Sequence, residues 1–147
     1  MRLCSRLLMV IAGTVMLTAC SNCPPTGPSG AAAMASGTVA GESVAFQDFA
    51  PPPDTDSVDI TVTWTPTSVE LRLIQVDPTC DPTAGECRRL SDPTGPRPGS
   101  AGVINGYGSN QGPNAAARLR FMIQNLTADR GATYTMTMTP KRHGCDR

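Results

Sequence analysis

Over residues 58–65 apolar and polar side chains alternate without a break. Val58, Ile60, Val62 and Trp64 fall in one phase and Asp59, Thr61, Thr63 and Thr65 in the other. A period of two puts successive side chains on opposite faces, so this stretch predicts a half-buried strand. Pro66-Thr67 then marks a turn. Val69, Leu71 and Leu73, alternating with Glu70 and Arg72, predict a return strand that pairs with the first as a hairpin. The phase slips from Ile74 to Val76, which predicts a β-bulge. Near the far end, Tyr134, Met136 and Met138 alternate with Thr133, Thr135, Thr137 and Thr139, a threonine-rich strand closed by Pro140.

The segment before that strand reads two ways. Ala117, Leu119, Phe121 and Ile123 alternate with Arg118, Arg120, Met122 and Gln124, yet Leu119, Met122, Ile123 and Leu126 also satisfy helical spacing behind Asn114 as a cap. Strand is preferred, because Asp129-Arg130-Gly131 joins the segment to its successor at hairpin distance and a lone helix would need a sheet face to cover. Weaker strands are expected around Val39 to Phe46 and Val103 to Tyr107. Residues 78–114 are otherwise rich in Pro, Gly, Ser, Thr, Asp and Asn and read as a long loop.

Residues 38–142 are therefore expected to form an all-β domain, an antiparallel β-sandwich of jelly-roll or immunoglobulin-like type. Trp64, Leu71, Leu73, Phe121 and Tyr134 are its expected core. Residues 20–37 are mostly Pro, Gly, Ser and Ala and read as a tether, and residues 143–147 as a tail. The paired segment ending Val76-Asp77-Pro78, with the later Gly131-Ala132-Thr133-Tyr134-Thr135-Met136-Thr137-Met138, resembles the bacterial pre-peptidase C-terminal domain, whose last strand follows a Gly-x-Tyr pattern. Here one extra residue separates Gly131 from Tyr134, and Glu70 and Arg72 replace the family's Asp-rich strand. The resemblance implies a non-catalytic accessory module.

The beginning of the chain carries a different signal. Arg2 and Arg6 bracket a basic opening, and Leu7 to Leu17 is apolar except for Gly13 and Thr14. As a helix that run spans only ~17 Å at about 1.5 Å per residue, roughly half of a hydrocarbon core, so it fits an export leader better than a permanent membrane span. It ends in Leu17-Thr18-Ala19-Cys20, which resembles the lipobox of bacterial lipoproteins. The resemblance implies that residues 1–19 are removed, that Cys20 bears a thioether-linked diacylglycerol and an acylated amino terminus, and that the membrane is a partner through this anchor. Ser21, where an Asp would favour inner-membrane retention, implies the outer membrane.

Of the twelve basic residues, Arg2 and Arg6 lie in the leader, leaving ten against twelve acidic ones. A slightly negative chain gives no reason to expect nucleic-acid binding. Apart from Cys20 and the leader's Cys4, four cysteines remain. Cys80 and Cys87 flank a turn-forming stretch and are expected to pair locally, leaving Cys23 and Cys145 for each other. Zinc is disfavoured by the wide spacings and the single histidine, His143, which reads as a solvated tail residue. Asp54, Asp56 and Asp59 read as turn and solubility residues rather than a calcium loop. The run Gly106-Tyr107-Gly108-Ser109-Asn110-Gln111-Gly112 reads as a flexible loop, its spacing departing from the dinucleotide fingerprint. Arg118, Arg120 and Arg72 are placed outward, as a solvated face or a stripe for an anionic envelope polymer. No catalytic residue, metal ligand or cofactor is assigned. The expected function is a non-catalytic binding or structural module of the cell envelope, with a protein or polymer partner; the alternative is a small envelope hydrolase using carboxylates.

Overall fold

A computed structural model describes residues 27–28, 30–53, 55–81, 83, 87–110 and 118–142. They contain eight strands: β1 (Gly27–Pro28), β2 (Ala33–Val39), β3 (Val44–Phe49), β4 (Ser57–Thr65), β5 (Leu71–Val76), β6 (Val103–Ser109), β7 (Leu119–Asn125) and β8 (Ala132–Arg142). Two antiparallel sheets result. In the larger sheet β8 pairs with β4 and β4 with β6, while β1 and β2 follow one another along the other side of β8. The smaller sheet has the order β3-β7-β5.

The pairing has a simple rule. Among the named strands, no two of five or more residues that follow each other along the chain are hydrogen-bonded partners. Instead β2 pairs with β8, β3 with β7 and β4 with β6. The innermost pair is β5 with residues 88–94, which run beside it as an irregular strand: Leu73 and Thr94 exchange both backbone bonds at 2.8 Å, and Leu90 N–H donates to Gln75 O at 2.8 Å. First with last, second with penultimate and so inward is one long antiparallel ribbon wound over itself, the jelly-roll form of the β-sandwich.

Alternation decides which side chains meet between the sheets. Val58, Ile60, Val62 and Trp64 of β4 and Tyr134, Met136 and Met138 of β8 face Leu71 and Leu73 of β5 and Leu119, Phe121 and Ile123 of β7, all buried in one cluster. Polar atoms carried inward are satisfied. The Trp64 indole N–H donates to Val69 O at 2.8 Å, and Gln47 Nε2 donates to the Tyr134 hydroxyl at 2.7 Å. Gln75 joins the two sheets where β5 and β6 adjoin, donating to Ser109 O at 2.9 Å and accepting from Ser109 N–H at 3.0 Å. Gly106 and Gly108 face inward on β6. A Cβ at either would stand 2.7 Å from Leu73 Cδ2 or 2.8 Å from Phe121 Cζ, so side-chain-free positions let this strand sink toward the opposite sheet.

Several expectations need correction. Residues 58–64 and 69–73 are not a hairpin, nor are residues 119–123 and 134–138: in each case the chain crosses from one sheet to the other, because alternation specifies a buried face and not a hydrogen-bonding partner. The β5–β7 register runs unbroken from Leu71↔Asn125 to Val76↔Arg120, so there is no bulge at Ile74 to Val76. These outward residues are apolar because another segment covers them. The region around Val39 to Phe46 is two strands separated by a turn at residues 40–43. Residues 33–37, assigned to the tether, belong to β2, and Gly106 to Ser109 are strand rather than flexible loop. The all-β sandwich, the strand at Leu119–Asn125 and the burial of Trp64, Leu71, Leu73, Phe121 and Tyr134 agree with the sequence reading.

Candidate binding surface

The outer face of the larger sheet is an array of hydroxyl groups in register. Thr38, Thr133 and Thr65 form one row across β2, β8 and β4; Ser36, Thr135 and Thr63 the next; Thr137 and Thr61 lie between Met34 and Asn105; and Thr139 and Asp59 lead to Tyr107 on β6. The inward positions are consumed by the core, and threonine suits the outward ones because its branched Cβ fits the pleat while its hydroxyl keeps water. The positions on β4 and Thr133 on β8 are exposed, and Thr135, Thr137 and Thr139 are half-buried.

The outer face of the smaller sheet is covered over two rows and open at a third, that of Val44, Gln124 and Arg72. Phe46, Met122 and Ile74 stand in one row, Asp48, Arg120 and Val76 in the next. Cys80 and Cys87, joined by a disulfide with Cα atoms 5.3 Å apart, pack with Phe46 over Ile74, Val76 and Met122 as a second small core. Arg120, with a side chain only 10 % exposed, fastens the cover. Its guanidinium donates to both oxygens of Asp48 at 2.6 and 2.9 Å and to Cys80 O at 2.6 Å. Arg118 adds a bond to Pro78 O at 3.0 Å and an ion pair with Asp48 at 3.4 Å. The hydrogen bond from Arg120 holds the Asp48 carboxyl below its ordinary range and raises Arg120 in return; desolvation opposes both shifts. Thr79 and Thr83 lower Asp77 and Asp81 in the same way within the cover.

On the open face, β6 and residues 94–97 form a shallow concavity of about 500 Å³ beside β4. It is lined by Asp59, Thr61, Thr94, Arg97, Asn105 and Tyr107, with Ile60 and Gly106 beneath. The sunken β6 makes the floor, and Tyr107 rises from it 55 % exposed. The Thr61 hydroxyl donates to Asn105 Oδ1 at 3.1 Å, which leaves the amide N–H groups for a ligand. Asp59 accepts an ion pair from Lys141 at 3.3 Å. Arg97 forms no ion pair among the described residues.

The basic stripe expected from Arg72, Arg118 and Arg120 does not exist. Arg120 is buried in its ion pair, Arg118 shares Asp48, and Arg72 meets Glu70 at 3.4 Å. All three lie in the outward phase, but Arg120 is made interior by a covering segment whose Cys80 is 40 residues away in sequence. Cys80 and Cys87 pair as expected. Cys20, Cys23, Cys145, His143 and Asp54 lie outside the described residues. No group of three or more His, Cys, Asp or Glu side chains among the described residues is placed to hold a metal. Asn125, which the sequence pattern does not single out, is buried and ties the β2–β3 and β7–β8 turns together. Its amide donates to Ala40 O and Arg130 O and its Oδ1 accepts from Thr127 N–H. Arg97 and Asn105 also carried no local signal; only the fold brings them to Asp59 and Tyr107. No protein-family model matches this chain, and no curated protein matches it.

Proposed function

We propose that this chain is a lipid-anchored cell-envelope protein that works without catalysis, binding a partner through the open face of its larger sheet. The observation that carries the reading is the asymmetry of the two outer faces: one is largely covered by Phe46 and the Cys80–Cys87 disulfide, and the other presents hydroxyl rows and a polar concavity holding a single carboxylate already paired with Lys141. A glycosidase-type hydrolase would use two facing carboxylates. An accessory module of the pre-peptidase C-terminal kind is in keeping with such a surface.

The anchor in this proposal is Cys20, through the lipobox Leu17-Thr18-Ala19-Cys20, and the outer membrane is the proposed location. Cys20 lies seven residues before Gly27, a reach of at most about 25 Å even when fully extended. The pairing Gly27↔Arg142 supports the proposed second disulfide, since Cys23 is four residues before one partner and Cys145 three residues after the other. Together these hold the sandwich close to the bilayer with the end of β8 toward it, and the open face rises side-on.

A photo-crosslinking residue in place of Thr137, in the full chain in intact cells, tests the contact. A defined crosslinked species is expected there and not from a crosslinker at Leu90, on the cover of the smaller sheet. Crosslinking from Leu90 alone overturns the choice of face. Cys20→Ser is expected to abolish incorporation of labelled fatty acid and release the protein from the membrane; retained label overturns the anchor.

A further inference from the structure

We propose that the concavity beside β6 is a saccharide site taking a β-linked hexose or N-acetylhexosamine chain, an inference that rests on the contact reading above and names its ligand class. Its volume lies within the range that small-ligand sites occupy, roughly 300–1,000 Å³. It is open rather than enclosed, suiting a polymer that passes through and not a ligand that must be swallowed. An exposed phenol ring, an amide with free donors, a carboxylate and a guanidinium face the same space.

That set discriminates between ligand classes. An apolar ligand would find only one ring and the edge of Ile60. A polyanion would find Arg97 opposed by Asp59. A β-linked sugar chain is a flat ribbon with C–H groups on its faces and hydroxyls along its edges. Its face fits the ring of Tyr107. Its edge hydroxyls can donate to Asp59 and accept from Asn105 Nδ2 and Arg97. The site is also held in shape before any ligand arrives, because the Thr61 hydroxyl fixes the Asn105 amide and Lys141 fixes Asp59. The hydroxyl rows of Thr61, Thr137 and Thr63 continue the same face, so a longer chain would stay on a hydrogen-bonding surface as it leaves the concavity.

The test is calorimetric titration of the full chain, in detergent, with the tetrasaccharides of β-1,4-linked N-acetylglucosamine and of β-1,4-linked glucose. Saturable binding of at least one is expected. Tyr107→Ala and Asn105→Ala should each weaken it about tenfold, the scale of one well-made stacking or hydrogen-bonding contact. Tyr107→Phe, which keeps the ring, and Thr135→Ala, on the same face but away from the concavity, should bind nearly as the unaltered chain does. All three positions are exposed or half-buried, and unchanged circular dichroism would show that folding is intact. No binding of either tetrasaccharide, or binding indifferent to Tyr107→Ala and Asn105→Ala, overturns the saccharide assignment. A protein crosslinked from Thr137 in the absence of saccharide binding also overturns it while leaving the contact reading standing.

Discussion

Over β5 and β7 the chain covers Ile74, Val76 and Met122 with Phe46 and the Cys80–Cys87 disulfide, whereas over β4 and β8 it leaves rows of threonine uncovered. Both faces are outward positions of antiparallel strands in the same sandwich. They differ in what the outward phase carries. Apolar side chains there would lose contact with water only if something packed on them, and Cys80 and Cys87 do so together with Phe46. Threonine makes no such demand. The closed face consequently gains a buried ion pair and a covalent clasp, and the open face gains surface available to another molecule.

The largest effect should come from unfastening the closed face. Arg120→Ala leaves Asp48 and Cys80 O without their donor, and a loss of about 2–4 kcal/mol in chemical denaturation is expected, below the deepest buried-pair values because Asp48 is 37 % exposed. The sign of its pH dependence follows from Asp48. Since its folded carboxyl is held below the ordinary 3.8, the stabilisation is complete above that value and fades as pH falls through the lower folded one. The gap between the unaltered protein and Arg120→Ala should therefore narrow on acidification below about pH 3.8 and stay constant through neutral pH. A constant gap down to pH 2 would remove Asp48 from the account.

A smaller loss is expected from opening the clasp. Replacing Cys80 and Cys87 together by Ser removes a short loop constraint worth about 2.5 kcal/mol at most in the chain-entropy model. It should also loosen the cover, seen as increased dye binding by the row of Phe46, Met122 and Ile74. If stability falls while that row stays shielded, Arg120 and Arg118 hold the cover without the disulfide. The smallest effects belong to the open face. Thr63→Ala and Thr137→Ala should each change stability by less than about 0.5 kcal/mol, since neither side chain has a buried partner to abandon. A loss of 2 kcal/mol from either would mean that this face too is structural.

The same contrast explains what could be read before the fold was known. The inner phases of β4, β7 and β8 are each continuous in sequence, so the core containing Trp64, Phe121 and Tyr134 was legible. Cys80 and Cys87 were legible as a pair because a turn-forming stretch lies between them. Pairing partners were not, since a jelly roll joins strands distant in the chain, such as β2 and β8, and a period of two is silent about them. Arg120 was misread for a related reason. Its outward phase is real, but its burial depends on Asp48 and Cys80, 72 and 40 residues away. The concavity was invisible because Asp59, Arg97 and Tyr107 belong to three separate segments, and because Gly106 and Gly108 resembled loop residues when their role is to let β6 sink.

Whether the open face is the one that is used can be settled by hydroxyl-radical footprinting of the protein in intact envelopes and after purification. Met34 and Tyr107 report on the open face, being 73 % and 55 % exposed, and Leu90, at 48 %, reports on the cover of the closed one. Protection of Met34 and Tyr107 in the envelope with Leu90 unchanged is the predicted result. Protection of Leu90 alone, or equal labelling of all three in both states, would contradict the account.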